Sequence, residues 1–278
     1  MVYIPRRLGG LVDAIMEIEL DEPVRFTVMP NGKIELLFML EGSEVDEFFM
    51  SGDEPGNRVS PLHEFSLFFG ASTGPQFLSA RRLRGVVIIM STLAAKAFFG
   101  IPASELWNRT IVPTMLDPRI SEIQDKLNTL GSFRERAQFL EKVLWERIEG
   151  SPELPVFLSL SQGMENYFSS ENDLVPSAQV VLDHVGYSRS QLHRLSKEWL
   201  GGTIDQGARL HQFRRALHLL HRTGDPVAEV AAGNGYFDQA HFAHRFSQHA
   251  GMTPSQYRRA TKDVSFDTVV WEKSTESA

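Results

Sequence analysis

Two stretches in the last third of the chain repeat one pattern, and this repetition limits the possible folds more than any other feature. In each, a short run able to form a helix leads through a glycine-containing turn into a longer run that opens on a capping side chain. The first comprises residues 177–184, the turn Val185-Gly186-Tyr187 and a helix over 188–200 beginning at Ser188. The second comprises residues 226–233, the turn Asn234-Gly235-Tyr236-Phe237 and a helix over 238–250 beginning at Asp238. Glycine supplies the positive φ that a tight corner between helices needs. Ser and Asp side chains can accept from the orphan N–H groups that open a helix. Between the two units, residues 209–222 place Leu210, Phe213, Leu217 and Leu220 on one face and basic residues on the other. Two helix pairs joined by one helix make a two-headed module. Such a module can offer its second helices to the major groove from one side of a duplex.

Charge bears on that possibility. The net charge of −7 argues against a polyanionic partner when taken whole, but it is unevenly placed. Residues 184–262 hold 11 Lys and Arg against 5 Asp and Glu, together with eight of the nine histidines. Residues 1–183 hold 16 against 26, and residues 263–278 hold 1 against 4. A basic block in an acidic chain is either the footprint of a polyanion-binding surface or a chance cluster of surface charge.

Other classes find less support. A length of 278 residues suits two domains. With no cysteine, disulfides, thiolate zinc sites and cysteine nucleophiles are excluded, which fits a reducing cytoplasm. The most apolar stretch, 85–101, is short for a membrane span, carries Lys96, and predicts a buried strand followed by a short helix. His218 and His221, like His241 and His244, are three apart on one helix face but lack an H-E-x-x-H arrangement. No metal or other cofactor is expected. Neither a Gly-rich phosphate loop, a G-x-S-x-G elbow nor a paired-carboxylate motif is present, so no catalytic residue is assigned and no enzyme is expected.

The N-terminal half is β-prone. Strands are predicted over 24–29 and 34–40, around the Asn31-Gly32 turn, and over 65–69, 76–78 and 83–90. Helices are predicted over 118–130 and 133–149, the second capped by Ser132; they can pair between subunits or cover the sheet. Gly150-Ser151-Pro152 marks a boundary. The expected fold is a two-domain α+β chain. Residues 1–150 form a β-rich sensor or dimerisation domain with trailing helices, residues 151–262 an all-α double helix-turn-helix domain, and residues 263–278 an acidic, disordered tail.

The run VAEVAAGNGYFDQAHFAHRFSQHAGMTPSQYRR resembles the C-terminal signature of the AraC/XylS family of bacterial transcription regulators. The shared features are the alanine helix, the Gly-aromatic turn, the spacing of Phe242 and Phe246, and G-x-T-P-S-x-Y-R from Gly251 to Arg258. GYSRSQLHRLSKEWLGGT is similar to the family's first unit. Ser196 stands where the family usually has a core Phe, Ile204 where it has Pro, and Gln212 where it has Arg. The N-terminal region, through the Asn31-Gly32 hairpin and residues 99–106, is similar to an uncharacterised domain often fused to this module.

The resemblance implies that Ser190, His193 and Arg194 face base edges from the first reading helix. It implies the same for Gln239, Ala240, His241, Ala243 and His244 from the second. Arg can bond guanine O6 and N7, Gln adenine N6 and N7, and Ala can meet a thymine methyl. Otherwise these are ordinary solvent-facing residues. Ser188, Arg189, Lys197 and Arg245 are candidates for phosphate contacts, and Arg245 can instead link helices. Leu192, Leu195, Trp199, Phe242 and Phe246 are expected in the core.

The family resemblance thus implies a cytoplasmic, sequence-specific regulator, more an activator than a repressor. Its implied partners are a double-stranded DNA operator and RNA polymerase, with room for a small-molecule effector and for a homodimer. An alternative is a ligand-binding or catalytic N-terminal domain with accessory DNA binding, its pocket lined by Phe26, Phe38, Phe65, Phe68 and Trp107. A third reading is a non-specific architectural DNA binder.

Overall fold

The computed structural model describes residues 1–50, 66–149, 188–260 and 268–271. Its N-terminal half is assembled on one long strand, β7 (Gln76–Met90). The second half of β7 pairs on one side with β2 (Val12–Leu20), with Leu20 opposite Leu83 and Val12 opposite Met90. On the other side lies β4 (Ile34–Met39), with Met39 opposite Gly85 and Ile34 opposite Met90. The first half of β7 pairs with β3 (Val24–Val28) and β5 (Glu44–Met50). β1 (Val2–Tyr3) extends the sheet beside β2, and β6 (Ser66–Phe69) and β8 (Thr110–Ile111) extend it beyond β4. Every one of these pairings is antiparallel.

The sequence predicts two strands where β7 is continuous. Arg81 and Arg82 break the apolar pattern, yet both are exposed while Ala80 and Leu83 on either side are buried. The guanidiniums lie beside neighbouring carboxylates, Arg81 Nε 2.9 Å from Asp46 and Arg82 Nε 3.8 Å from Asp21. Two outward-facing charges thus interrupt the composition but not the ladder.

The sheet is buried on both faces. One carries Leu37, Met39, Val45, Phe48, Leu67, Phe69 and Leu78. The other carries Leu36, Phe38, Phe68, Val86 and Ile88, and packs against four helices. These are α1 (Leu93–Phe99), α2 (Ala103–Leu106), α3 (Ile120–Thr129) and α4 (Phe133–Ile148). α4 starts where Ser132 and Glu135 cap each other's backbone N–H groups. Its Phe133, Ala137, Leu140, Leu144 and Ile148 form the buried stripe. α3 and α4 therefore cover the sheet. The imagined aromatic pocket is not formed by its proposed lining: Phe38 and Phe68 are fully buried core, Phe26 is packed against the opposite cluster, and Phe65 lies outside the described residues.

The remainder is helical. α5 (Arg189–Leu195) runs on through a π-helical turn (Ser196–Leu200). It is followed by α6 (Ile204–Arg222), α7 (Val227–Gly233), α8 (Gln239–Ala250) and α9 (Pro254–Ala260). A β-sheet region followed by an all-helical region is the two-domain α+β class expected. The predicted helix over 177–184 and the turn 185–187 fall outside the described residues. The tail requires a correction. Thr268–Trp271, expected to be disordered, form a ninth strand, β9, antiparallel to β3 with Val270 opposite Phe26. Thr-Val-Val-Trp is a β-prone run inside an otherwise acidic tail, and the open edge of β3 gives it a ladder to join.

Candidate nucleic-acid interface

The second helical unit is built around a ring stack. Phe213 of α6, Phe242 and Phe246 of α8 and Tyr257 of α9 are fully buried, with neighbouring centroids 5.2–5.7 Å apart. α7 ends on Asn234, whose amide donates to the Val230 carbonyl at 2.7 Å. The chain then turns through Gly235 at φ +72°, a conformation open to glycine and costly for most side chains. Gln212 of α6 donates to the Asn234 carbonyl at 2.7 Å and ties the linking helix to this corner. That bond gives a structural role to one departure from the family pattern. Tyr236 packs on Phe242 at 4.8 Å, and burial pushes its phenol up to about 12. Asp238 caps α8, accepting from the His241 N–H at 2.7 Å.

The cap orients one face of α8 outward. Gln239, Ala240, His241 and His244 are exposed, and Ala243 is half-buried. Arg245 is half-buried and donates to Gln248 Oε1 at 3.2 Å on its own helix; Gln248 lies 3.1 Å from the His244 ring through its amide nitrogen. This hydrogen bond of Arg245 is therefore intrahelical.

The first unit repeats the device. The Ser188 N–H donates to Gln191 Oε1 at 3.0 Å, and the Gln191 N–H donates to Ser188 Oγ at 3.4 Å. The Ser188 hydroxyl also donates to Gln191 Oε1 at 2.8 Å, so it is engaged in the cap it was expected to form. Ser190, His193, Arg194 and Lys197 are exposed. Arg194 Nη1 lies 3.5 Å from Glu198, with the Arg194 side chain 69% exposed, so the pairing is a weak surface contact. The side chains of Arg189 and Leu192 fall outside the described residues. Ser196, in place of a core Phe, is buried and donates to the His193 carbonyl at 3.0 Å where the π-helical turn begins. Trp199 is buried as expected, and it belongs to the cluster beneath the N-terminal sheet.

Spacing within the sequence gave no sign of that packing. Lys96 of α1 pairs with Glu198 and lies 4.8 Å above the Trp199 ring. A Cβ on Gly201, at φ +82°, would meet Trp107 at 2.5 Å. The second unit is also fastened. Met29 is buried with Leu210 and Phe213, and Arg214 donates to the Asn31 carbonyl at 3.0 Å. His249 Nδ1 lies 2.6 Å from the Thr73 carbonyl, and burial holds its ring below the ordinary histidine value.

Among the described residues, no group of three or more His, Asp or Glu side chains is gathered so as to hold a metal, and no helix is long and apolar enough to cross a membrane.

Residues 181–260 match the model of a family described as "Helix-turn-helix domain". The chain carries a helix-turn-helix domain of the AraC/XylS type. The arabinose operon regulatory protein of Escherichia coli (strain K12) is 30% identical over 90 residues, covering 32% of this chain and 31% of that protein. The probable transcription factor PqrA of Proteus vulgaris is 27% identical over 78 residues, covering 28% of this chain and 64% of PqrA. Among solved structures, the xylose-binding transcription activator XylR is 30% identical, with 36% of this chain and 26% of XylR covered at a TM-score of 0.33. This chain thus spans less than two thirds of each of these three relatives. The AraC/XylS-type signature coincides with the built parts of the second unit: the corner at Gly235, the ring stack of Phe242, Phe246 and Tyr257, and Thr253, which caps α9 by accepting from the Gln256 N–H at 3.2 Å.

Proposed function

We propose that the chain is a transcription regulator that binds specific double-stranded DNA through α5 and α8. The observation that carries this reading is the matched pair of capped helices, each with one face locked in a core and the other free. Ser190, His193 and Arg194 on one, and Gln239, Ala240, His241 and His244 on the other, are exposed and carry the donors and acceptors that base edges require. Lys197 and Arg245, with Arg189 by its place in the sequence, supply cations for phosphates beside them. In this reading residues 151–262 are the reader and residues 1–150 the controlling domain.

The controlling domain holds both heads, through Trp199 and Glu198 on the first and through Arg214 and His249 on the second. A ligand or partner that binds one arrangement of these contacts more tightly than another would shift the reader's affinity for DNA. Activation rather than repression, with RNA polymerase as partner, follows the family resemblance, as does a cytoplasmic setting.

Selection of bound fragments from a random duplex pool tests the function. The expected result is a motif with two half-elements about one helical turn, roughly 10 base pairs, apart. A pool that shows no enrichment overturns sequence-specific reading. Uniform affinity across sequences with a steep salt slope would identify an architectural binder instead.

A further inference from the structure

Phe237 sits in the turn immediately before the α8 cap, and its side chain is 91% exposed. Among the described residues it is the most exposed large apolar side chain, and it adjoins the helix face assigned to base reading. Its backbone N–H donates to His241 Nδ1 at 3.4 Å. A ring nitrogen that accepts from an amide cannot carry a proton, so in the neutral imidazole the hydrogen resides on Nε2. The His241 ring is braced edge-on by Tyr236, 5.8 Å away, and its own backbone N–H is held by Asp238. The first turn of α8 therefore offers an apolar ring next to the Nε2–H donor of His241.

Only one base matches that pair in the major groove. Thymine presents a C5-methyl group beside the O4 acceptor; guanine presents two acceptors, adenine an acceptor and a donor, and cytosine a donor. We propose that Phe237 and His241 together read one thymine, the ring covering its methyl group and Nε2–H donating to O4. This rests on the DNA-reading function proposed above and assigns one base of the operator.

The test uses full-length protein and a duplex fragment recovered by selection. Each thymine is replaced in turn by deoxyuridine, which removes only the methyl group. Separately, each T·A pair is replaced by 5-methylcytosine·guanine, which keeps the methyl group and exchanges O4 for an amino donor. At one position deoxyuridine should weaken wild-type binding about fourfold, the worth of one buried methyl group. The weaker Phe237→Ala variant should show no further loss there. At the same position 5-methylcytosine should weaken wild-type binding, and His241→Ala should shrink that loss. Phe237→Ala removes no core contact, so its unfolding temperature should match wild type. Full deoxyuridine sensitivity retained by Phe237→Ala at every thymine overturns the proposal. So does a Phe237→Ala protein that binds DNA normally but fails in transcription, since its ring would then meet a protein partner. If wild type selects no fragment at all, the DNA-reading function itself fails and this inference with it.

Discussion

Gln239 and Lys197 look alike in exposure, yet their chemistry predicts different losses. Gln239 can bond adenine through N6 and N7, so Gln239→Ala should cost about 1–3 kcal/mol of discrimination at one base pair. The unfolding temperature should not move, because the side chain is exposed. Lys197 is a point charge; Lys197→Ala should weaken all sequences alike and lower the salt slope by about one. Binding titrations against single-base variants at several salt concentrations separate the two, and a uniform loss for Gln239→Ala would remove it from the reading face. His249 makes a different prediction, about stability. Burial depresses its value from the ordinary 6.5, while the Thr73 carbonyl opposes that shift and Arg245 and Arg209 add to it. The folded ring thus stays neutral where the unfolded one protonates. Stability is complete above pH 6.5 and falls as pH drops from there through the lowered folded value. Urea unfolding at pH 7.5 and 5.5 should show a smaller loss in His249→Gln than in wild type. An identical pH dependence in both proteins would mean that this ring is not desolvated in solution.

Helix junctions show what a sequence declares about its elements and what it hides. The corner after α7 was legible because Gly235, Tyr236 and Asp238 carry local signals for turn, packing and cap. α4 was legible from Ser132 and the spacing of Phe133, Ala137, Leu140 and Leu144. β2 and β5 were not anticipated, because Asp13, Glu17 and Glu19 in one, and Glu44, Asp46 and Glu47 in the other, dilute the apolar alternation. Their partner β7 supplies what the local composition lacks. Gly201 hid a second role behind a familiar one. It ends the π-helical turn at φ +82°, as a glycine in a turn should, but it also gives Trp107 room to lie against the chain. Gly201→Ala should therefore destabilise by about 3 kcal/mol, from backbone strain and crowding together. Gly207 is the control. It lies within α6 with open space around its Cα and no positive φ, so Gly207→Ala should stabilise by about 1 kcal/mol. Denaturant unfolding of both variants checks the pair; equal effects would mean that the Trp107 contact is not formed.

At the scale of the molecule, the boundary drawn at 150 separates two compositions but does not separate two cores. Trp199, from the helical part, is buried among Phe98, Leu106 and Ile148 of the N-terminal cluster. Met29, from the turn between β3 and β4, which pair with β7 and not with each other, is buried among Leu210, Phe213 and Leu217. β9 lies on β3, so the chain returns to the sheet after the last helix. No periodicity or motif encodes these contacts, because each is made between residues distant in sequence whose local patterns are satisfied without it. Their physical consequence is coupling. Two domains that exchange core side chains cannot unfold independently without exposing the exchanged residues. The intact chain should thus melt in one transition, with tryptophan fluorescence and far-UV circular dichroism changing together. Trp199→Ala removes a buried aromatic at a cost of about 3–5 kcal/mol and should separate the transition into two. Two transitions in the wild-type protein would show instead that the reader and the sheet are held too loosely for either to control the other.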